Sequence, residues 1–202
     1  ELPGRGSKMS QPLMDNIYKI VNTLAPKLCQ ELYGSFAFLG HSMGALVAYE
    51  LVRYLRRHDK EMPLHLFVAS HSAPHLIKRS KVPYNLPEKE FIAEIKNMNG
   101  TPDEVLDNKD LMGFLVPILR ADFKACETYK WKVDLPLPCG ITALGGVDDD
   151  SVSAKDLKMW DQHTTGSFDL RPFPGDHFFL YDHQDEILEH ITKTLAKNAY
   201  IY

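Results

Sequence analysis

The stretch "SFAFLGHSMGALVAYELVRYLRR", residues 35–57, decides the predicted fold of this chain. Its first five residues, 35–39, are apolar or small and predict a short buried strand, and a helix is predicted soon after. Between the two, Ser42 lies two residues after Gly40 and two residues before Gly44. We interpret this pattern as a nucleophile elbow, in which a strained strand-to-helix turn exposes a serine hydroxyl. The alternative is a glycine-rich turn whose serine only caps the helix.

The residues around this serine have predicted roles of their own. The main-chain N–H of Met43 is expected to point at the place where an oxyanion would form, because the first N–H groups of a helix have no helical partner and carry partial positive charge. Gly40 and Gly44 are expected to keep side chains out of a turn where strand and helix nearly touch. His41 is expected to shape the turn rather than to act as a base.

A serine hydroxyl needs a base, and in proteins with this turn the order along the chain is Ser, then Asp or Glu, then His. The acid is predicted in "GGVDDDSVS" (145–153), directly after an apolar strand. Gly146, Asp149 and Val152 fit the pattern Gly-x-x-Asp-x-x-Val, which favours Asp149 and leaves Asp148 as the second candidate. The alternative is that the three aspartates are solvated or form a weak cation site, although they lack the spacing of a calcium loop.

The base is predicted in "FPGDHFFLYD" (173–182), where His177 follows a strand and a Pro-Gly turn and precedes the last predicted helix. His183 is the nearest competitor. His177 would take the proton of Ser42, and Asp149 would hold the imidazole in the required tautomer. Six further histidines have no motif around them and are expected to be solvated or packed: His58, His65, His71, His75, His163 and His190.

Short apolar strands alternate with helices along most of the chain, which predicts an α/β-hydrolase fold with a mostly parallel sheet and helices on both faces. The predicted strands are 35–39, 64–70, 139–146 and 168–173, and the predicted helices are 12–32, 45–57 and 185–199. Pro26 is expected to kink or divide the first helix. Residues 75–132 contain three or four predicted helices and no strand, so we predict one domain, 1–202, with a helical lid inserted at 75–132.

Composition excludes several classes of function. The chain has 202 residues, is 44% hydrophobic and carries a formal net charge of −4, which suits a globular domain and gives no sign of nucleic-acid binding. No apolar run approaches the roughly 20 residues of a membrane helix, and no signal-peptide pattern occurs, so a cytoplasmic protein without membrane contact is predicted. Three irregularly spaced cysteines favour reduced thiols over a disulfide framework or a metal site.

Six segments, which together run along nearly the whole chain, carry a resemblance to a known family. They are "LPGRG" (2–6), "FLGHSMGALVAYEL" (38–51), "LHLFVAS" (64–70), "RADF" (120–123), "GGVDDDSVS" (145–153) and "HTTGSFDLRPFPGDHFFL" (163–180). They resemble type II thioesterases, the free-standing hydrolases of polyketide and nonribosomal peptide synthesis, a group that includes the medium-chain thioesterase of animal fatty acid synthesis. "RADF" and "HTTG" make the resemblance specific, since they are not general features of α/β-hydrolases.

The resemblance implies hydrolysis of acyl groups from the phosphopantetheine arm of an acyl or peptidyl carrier protein, either to edit stalled chains or to release finished ones. It implies Ser42, Asp149 and His177 as catalytic residues. No cofactor or metal is expected, since the substrate itself carries the phosphopantetheine, and the enzyme is expected to be a monomer that binds a carrier protein. A broad carboxylesterase or lipase is the alternative, because the triad is shared; a non-catalytic acyl-binding homologue is the third hypothesis.

The resemblance also leads to an expectation about the start of the chain. Family members begin with strands and a loop that supplies a second oxyanion N–H before the segment that matches "LPGRG" (2–6). This chain begins at Glu1 without Met. We therefore expect that the first strands, the first helix and this donor belong to the intact protein and precede Glu1. One oxyanion donor is typically worth about 2.7–4 kcal/mol of transition-state stabilisation.

Two features of the predicted lid bear on substrate and partner. Met112, Leu115 and Leu119 are predicted to line an acyl channel, because methionine in particular adapts to varied shapes; the alternative is that they only pack the lid. The basic cluster "HLIKRSK" (75–81), which includes Lys78 and Arg79, is a hypothetical docking site for an acidic carrier protein. Its alternative is a solvated loop.

Overall fold

Four parallel strands form the sheet that carries the serine turn. The computed structural model describes residues 1–76 and 83–199. The strands pair in chain order and are β1 Ala37–His41, β2 His65–Ala69, β3 Gly140–Gly146 and β4 Phe168–Phe173. The predicted α/β fold with a parallel sheet is therefore confirmed. Strand β1 lies two residues later than predicted and runs up to the residue before Ser42.

The carboxyl ends of these strands bring the predicted site together. Neighbouring positions across this edge of the sheet are, in order, His41, Ala69, Leu144 and Arg171. Ser42 directly follows β1 and Ser70 directly follows β2, while Asp149 and His177 follow within a few residues of the ends of β3 and β4. Parallel strands end at one edge, so residues far apart in sequence become neighbours there.

Seven α-helices form in the described part of the chain. They are α1 Ile17–Glu31, α2 Met43–Arg57, α3 Glu88–Asn97, α4 Asp103–Leu106, α5 Lys109–Glu127, α6 Ala154–Lys158 and α7 Gln184–Ala199. Pro26 lies inside α1 and does not divide it, so of the predicted kink or division the division is wrong and the kink stays a prediction. Helix α6 was not predicted, because five residues are too few to show a helical period; a capping box between Ser153 and Asp156 fixes its start.

The chain forms two compact units. The sheet unit contains Thr23–Leu76 and Trp131–Tyr202, and the helical unit contains Glu1–Asn22 and Ile77–Lys130, each counted over its described residues. The bounds of the helical unit's second segment lie within two residues of the predicted insertion, 75–132, and the role of that insertion as a lid stays a prediction. That residues 1–22 belong with it was not predicted.

In the described part of the sheet unit, alternate strand residues belong to two different hydrophobic clusters. Leu66, Val68 and Ile141 pack with Tyr49 of α2 and Trp160 on one face of the sheet. The other core joins the intervening strand residues to α7 and consists of Ala69, Leu144, Phe173, Phe179 and Ile187. Every residue of β2 and β3 is buried, as expected for the inner strands of a parallel sheet.

In the helical unit, a separate cluster is built from α3 and α5. Phe91 and Ile95 of α3 are buried against Met112 and Val116 of α5. None of the described helices has the length and apolar character needed to cross a membrane. All three cysteines are free in the structure: Cys29, Cys126 and Cys139.

Candidate active site

Ser42 occupies a strained turn between β1 and α2. Its backbone has φ 53° and ψ −121°, in a region that residues with a side chain rarely adopt. The Ser42 N–H donates to the carbonyl of Ala69, at an N–O distance of 2.8 Å, which ties the turn to the end of β2. Main-chain strain of this kind is the mark of a nucleophile elbow.

The two glycines of the turn differ in what they do. A Cβ atom on Gly40 would lie 2.1 Å from the carbonyl oxygen of Gly44, so no side chain fits where β1 passes α2. A Cβ atom on Gly44 would meet nothing within 4 Å. The expectation that both glycines prevent a clash therefore holds for Gly40 and is wrong for Gly44.

A line of hydrogen bonds joins the serine to an imidazole and a carboxylate. The Nε2 atom of His177 lies 3.0 Å from Oγ of Ser42, and its Nδ1 atom lies 2.9 Å from Oδ2 of Asp149. An ionised carboxylate can only accept, so Nδ1 carries the proton and Nε2 is free to accept from the serine hydroxyl. This arrangement is able to remove the proton of Ser42 as the oxygen attacks an electrophile.

The structure places Asp149, rather than Asp148, against the imidazole. The Asp149 side chain is 2% exposed, whereas Asp148 is exposed to solvent. Burial by itself would raise the pKa of Asp149, but hydrogen bonds from His177 and Ser151 outweigh it and hold that pKa below its usual value. Asp149 is therefore ionised at neutral pH.

Ser151 is a site residue that sequence reasoning missed. Both its N–H and its hydroxyl donate to Oδ1 of Asp149, over 2.8 and 2.5 Å, while Oδ2 faces His177. The Ser151 hydroxyl is also 3.1 Å from Nδ1 of His177. A serine two residues after an aspartate is a typical local turn partner, which is the signal that could have found it.

Two further histidines, His41 and His183, were considered for the site, and each has a contact other than the hydroxyl of Ser42. Nε2 of His41 faces the main-chain carbonyl of His177 at 2.8 Å, so its contact is with the histidine loop. His183 faces Glu186 at 3.5 Å and packs on the ring of Phe173. Neither ring hydrogen-bonds Ser42, whose base partner in the structure is His177.

The remaining predicted positions are placed as follows. Met43 is the first residue of α2, so its N–H belongs to the unpaired first turn of that helix. Met112 is 5% exposed within the cluster of the helical unit, and Leu115 and Leu119 pack partly buried against that cluster. Their part in an acyl channel remains a prediction. Lys78 and Arg79 of the basic cluster lie outside the described residues.

No group of three or more metal-binding side chains comes together within residues 1–76 and 83–199. This finding includes the aspartates of the loop after β3, for which a weak cation site was the alternative. Two of them, Asp148 and Asp150, are exposed, and the third faces His177.

The parallel sheet, the strained serine turn and the chain order Ser, Asp, His define the chain as an α/β-hydrolase. The family model described as Thioesterase domain matches residues 1–195, and the chain belongs to this family. The predicted resemblance to type II thioesterases is therefore confirmed, and with it the class of enzyme, a thioester hydrolase.

Three similar proteins illustrate this membership. The gramicidin S biosynthesis protein GrsT of Aneurinibacillus migulanus is 40% identical over 195 residues, which cover 96% of this chain and 76% of GrsT. The medium-chain S-acyl fatty acid synthase thioesterase of Rattus norvegicus is 33% identical over 207 residues, covering 98% and 77% of the two chains. The solved structure of the type II thioesterase BorB from the borrelidin biosynthetic cluster is 33% identical with a TM-score of 0.88, covering 96% and 79%.

Proposed function

We propose that this chain hydrolyses acyl thioesters carried on the phosphopantetheine arm of an acyl or peptidyl carrier protein. The observation that carries the proposal is the line of hydrogen bonds from Ser42 through His177 to Asp149, in a member of the thioesterase family. These three residues are the proposed catalytic residues, and the N–H of Met43 is the proposed oxyanion donor.

The reaction follows from the proton positions. Oγ of Ser42 attacks the thioester carbon while its proton passes to Nε2 of His177, and the buried Asp149 carboxylate stabilises the imidazolium. The C–S bond then breaks and the thiol leaves with that proton. Water attacks the acyl-enzyme ester, gives a proton to His177, and releases the acid as Ser42 regains its hydrogen. Since water and these side chains suffice, no cofactor or metal is proposed.

The substrates and partner are proposed from what the relatives are named for. GrsT is named for gramicidin S biosynthesis, BorB for the borrelidin cluster, and the rat enzyme for fatty acid synthase. These names support an editing or release role in nonribosomal peptide, polyketide or fatty acid synthesis. We propose an acyl or peptidyl carrier protein as partner, and a cytoplasmic monomer as the working form.

The test is to compare an acyl-pantetheine thioester with a p-nitrophenyl ester of equal chain length. We expect a higher kcat/KM for the thioester, because the family relationship favours a thiol leaving group, and a further gain when the acyl group is on a carrier protein. Ser42→Ala should abolish both activities and labelling by a fluorophosphonate. A preference for the oxygen ester would favour a broad carboxylesterase, and binding of acyl groups without turnover would favour a non-catalytic homologue.

The acid is tested by a matched pair of variants. Asp149→Asn should lower kcat by about 10³–10⁴-fold, since the amide favours the wrong imidazole tautomer. Asp148→Asn, one residue earlier on the same loop, should stay within about twofold of the wild-type kcat, because that side chain is exposed. Equal losses in both variants would refute the assignment of Asp149.

A further inference from the structure

The main-chain carbonyl of His177 is held by two side chains that the proposed proton transfer does not use. Nε2 of His41 lies 2.8 Å from this oxygen, and the hydroxyl of Ser70 lies 3.0 Å from it. A carbonyl oxygen only accepts and has two lone pairs, so both groups donate to it at the same time. His41 therefore carries a proton on Nε2.

Both donors are fixed by the ends of neighbouring strands. His41 is the last residue of β1, and its ring packs against the rings of His177 and Phe178 at centroid distances of 5.1 and 5.8 Å. Ser70 follows β2, is 1% exposed and has φ 50°, a strained value for a residue with a side chain. Its N–H donates to Leu144 of β3 at 3.0 Å.

The residue that they hold lies in a loop rather than in a strand or helix. His177 follows Gly175, which has φ 104°, and precedes a short 3₁₀ turn that begins at Phe179. In such a segment the direction of the Cα–Cβ bond depends on the orientation of the adjoining peptide groups. Hydrogen bonds that fix the His177 carbonyl therefore also fix where its imidazole reaches. A displacement of about 1 Å at a reacting group can cost about a hundredfold in rate.

The neutral imidazole of His41, with its proton on Nε2, is sufficient for this contact. Burial, the largest effect, lowers the pKa of His41, and its hydrogen bond to the His177 carbonyl opposes this only in part. The titratable groups that act on this pKa are His177, which lowers it, and Asp149, which raises it. When His177 takes up a proton, the neutral ring of His41 adds no like charge beside it.

We propose that His41 and Ser70 are positioning residues. Their two hydrogen bonds to the main-chain carbonyl of His177 hold the imidazole of His177 against Ser42. The inference deepens the proposed function and rests on it, since it takes His177 as the base. It also makes a specific claim about energetics. Either donor alone gives the carbonyl a hydrogen-bond partner, whereas the loss of both removes the two side-chain donors that the structure shows for it.

The experiment is a small set of variants assayed on an acyl-pantetheine thioester. His41→Leu and Ser70→Ala each remove one donor, and we expect kcat to fall by less than about tenfold with KM unchanged. The double variant should lose about a hundredfold in kcat, more than the product of the single losses. His41→Gln, which returns an N–H at a similar reach, should recover most of the loss of His41→Leu. Ser72→Ala, in the same buried segment, is the control.

Two readouts separate positioning from a general loss of structure. The rate of fluorophosphonate labelling reports the Ser42–His177 pair without any acyl substrate. In ¹⁵N-histidine-labelled protein, the downfield Nδ1–H proton signal of His177 reports its bond to Asp149, and it should broaden in the double variant. Melting curves show which variants are folded. If the double variant is unfolded, the proposal is tested by whether His41→Gln recovers the kcat that His41→Leu loses.

The outcomes are distinguishable. A double variant with kcat and labelling within threefold of wild type would overturn the proposal, and so would a glutamine variant no better than the leucine variant. A rise in KM at constant kcat would also overturn it, since that pattern belongs to substrate binding. If the wild-type protein is labelled but hydrolyses no thioester, the proposed function fails. The labelling rates of the variants then still test whether His41 and Ser70 position His177.

Discussion

At the scale of single residues, the site depends on where a side chain is absent as much as on where one is present. Gly40 is required because the carbonyl of Gly44 occupies the place of its Cβ atom. Ser42 adopts positive φ, and so does Ser70 at the end of the next strand. Two strained serines at adjacent strand ends are stable only because surrounding hydrogen bonds and packing hold them.

The difference between the two glycines gives a direct prediction. Gly40→Ala should destabilise the protein by roughly 1–3 kcal/mol, because strand and helix must move apart to admit the methyl group. Gly44→Ala should change the free energy of unfolding by less than about 1 kcal/mol, since nothing stands within 4 Å of the added atom. Urea unfolding of both variants measures this. Equal destabilisation would show that the turn is tighter than its geometry indicates.

At the scale of elements, the structure gives a physical role to two motifs known at first only by resemblance. Arg5 of "LPGRG" forms a bidentate ion pair with Asp122 of "RADF", at 2.8 and 2.7 Å. Arg120 and Phe123 of the same motif both contact the ring of Phe91 on α3. These motifs therefore join the first residues of the chain and helix α3 to helix α5 within the helical unit.

The "HTTG" motif has a comparable role in the sheet unit. His163 is buried, with Nδ1 at 3.0 Å from the hydroxyl of Tyr49 and Nε2 at 2.6 Å from Nδ1 of His75. The hydroxyl of Thr164 donates to the carbonyl of Cys139 at 2.7 Å, just before β3. The motif thus joins helix α2, the segment after β2 and the residue before β3.

The ion pair of the helical unit can be measured by a double-mutant cycle. Arg5→Ala, Asp122→Ala and the double variant should give a coupling energy of about 1 kcal/mol, because the pair is bidentate and only partly exposed. The exposed pair of Lys96 and Asp103, at 2.8 Å, is the matched control and should give about 0.5 kcal/mol or less. A coupling for Arg5 and Asp122 no larger than the control would show that the pair contributes little.

At the scale of the whole molecule, buried histidines make stability depend on pH. Burial is the main cause that lowers the pKa of both His65 and His163 to about 4, from the usual histidine value of 6.5. Nearby His75 and Arg53 lower the pKa of His163 further. In the unfolded chain both histidines take up protons near pH 6.5, whereas in the folded chain they do so only near pH 4. Stability is therefore lost as the pH falls between these values.

The size of this effect is a prediction. Each histidine should cost about 2 kcal/mol of unfolding free energy between pH 7 and pH 5. His163→Gln should be less stable than the wild type at pH 7, since it breaks the contact with Tyr49, but should lose less stability on acidification. Urea unfolding at the two pH values measures both quantities. A wild-type pH dependence in His163→Gln would contradict the prediction.

The sequence by itself predicted the parallel sheet, the strained turn at Ser42, and His177 as the histidine that faces Ser42. Hydrophobic periods and the Gly-x-Ser-x-Gly pattern are local, so they can be read without knowledge of distant contacts. Local patterns did not determine everything: α1 continues through Pro26, and a Cβ atom on Gly44 would meet nothing within 4 Å. In both cases the surrounding structure, rather than the residue type, decided the result.

The pattern Gly-x-x-Asp-x-x-Val favoured Asp149 and left Asp148 as the second candidate, and the tertiary structure places Asp149 against the imidazole. Only the tertiary structure showed that Ser151 hydrogen-bonds Asp149, and that His41 and Ser70 hydrogen-bond the carbonyl of His177. Asp149 and His177 are 28 residues apart, and His41 and His177 are 136 apart, yet each pair hydrogen-bonds. Apart from that spacing pattern, adjacent aspartates on one loop look alike in sequence. They differ in the folded protein because one points inward to a proton donor and the other to water, and that direction is set by the loops that meet at the sheet edge.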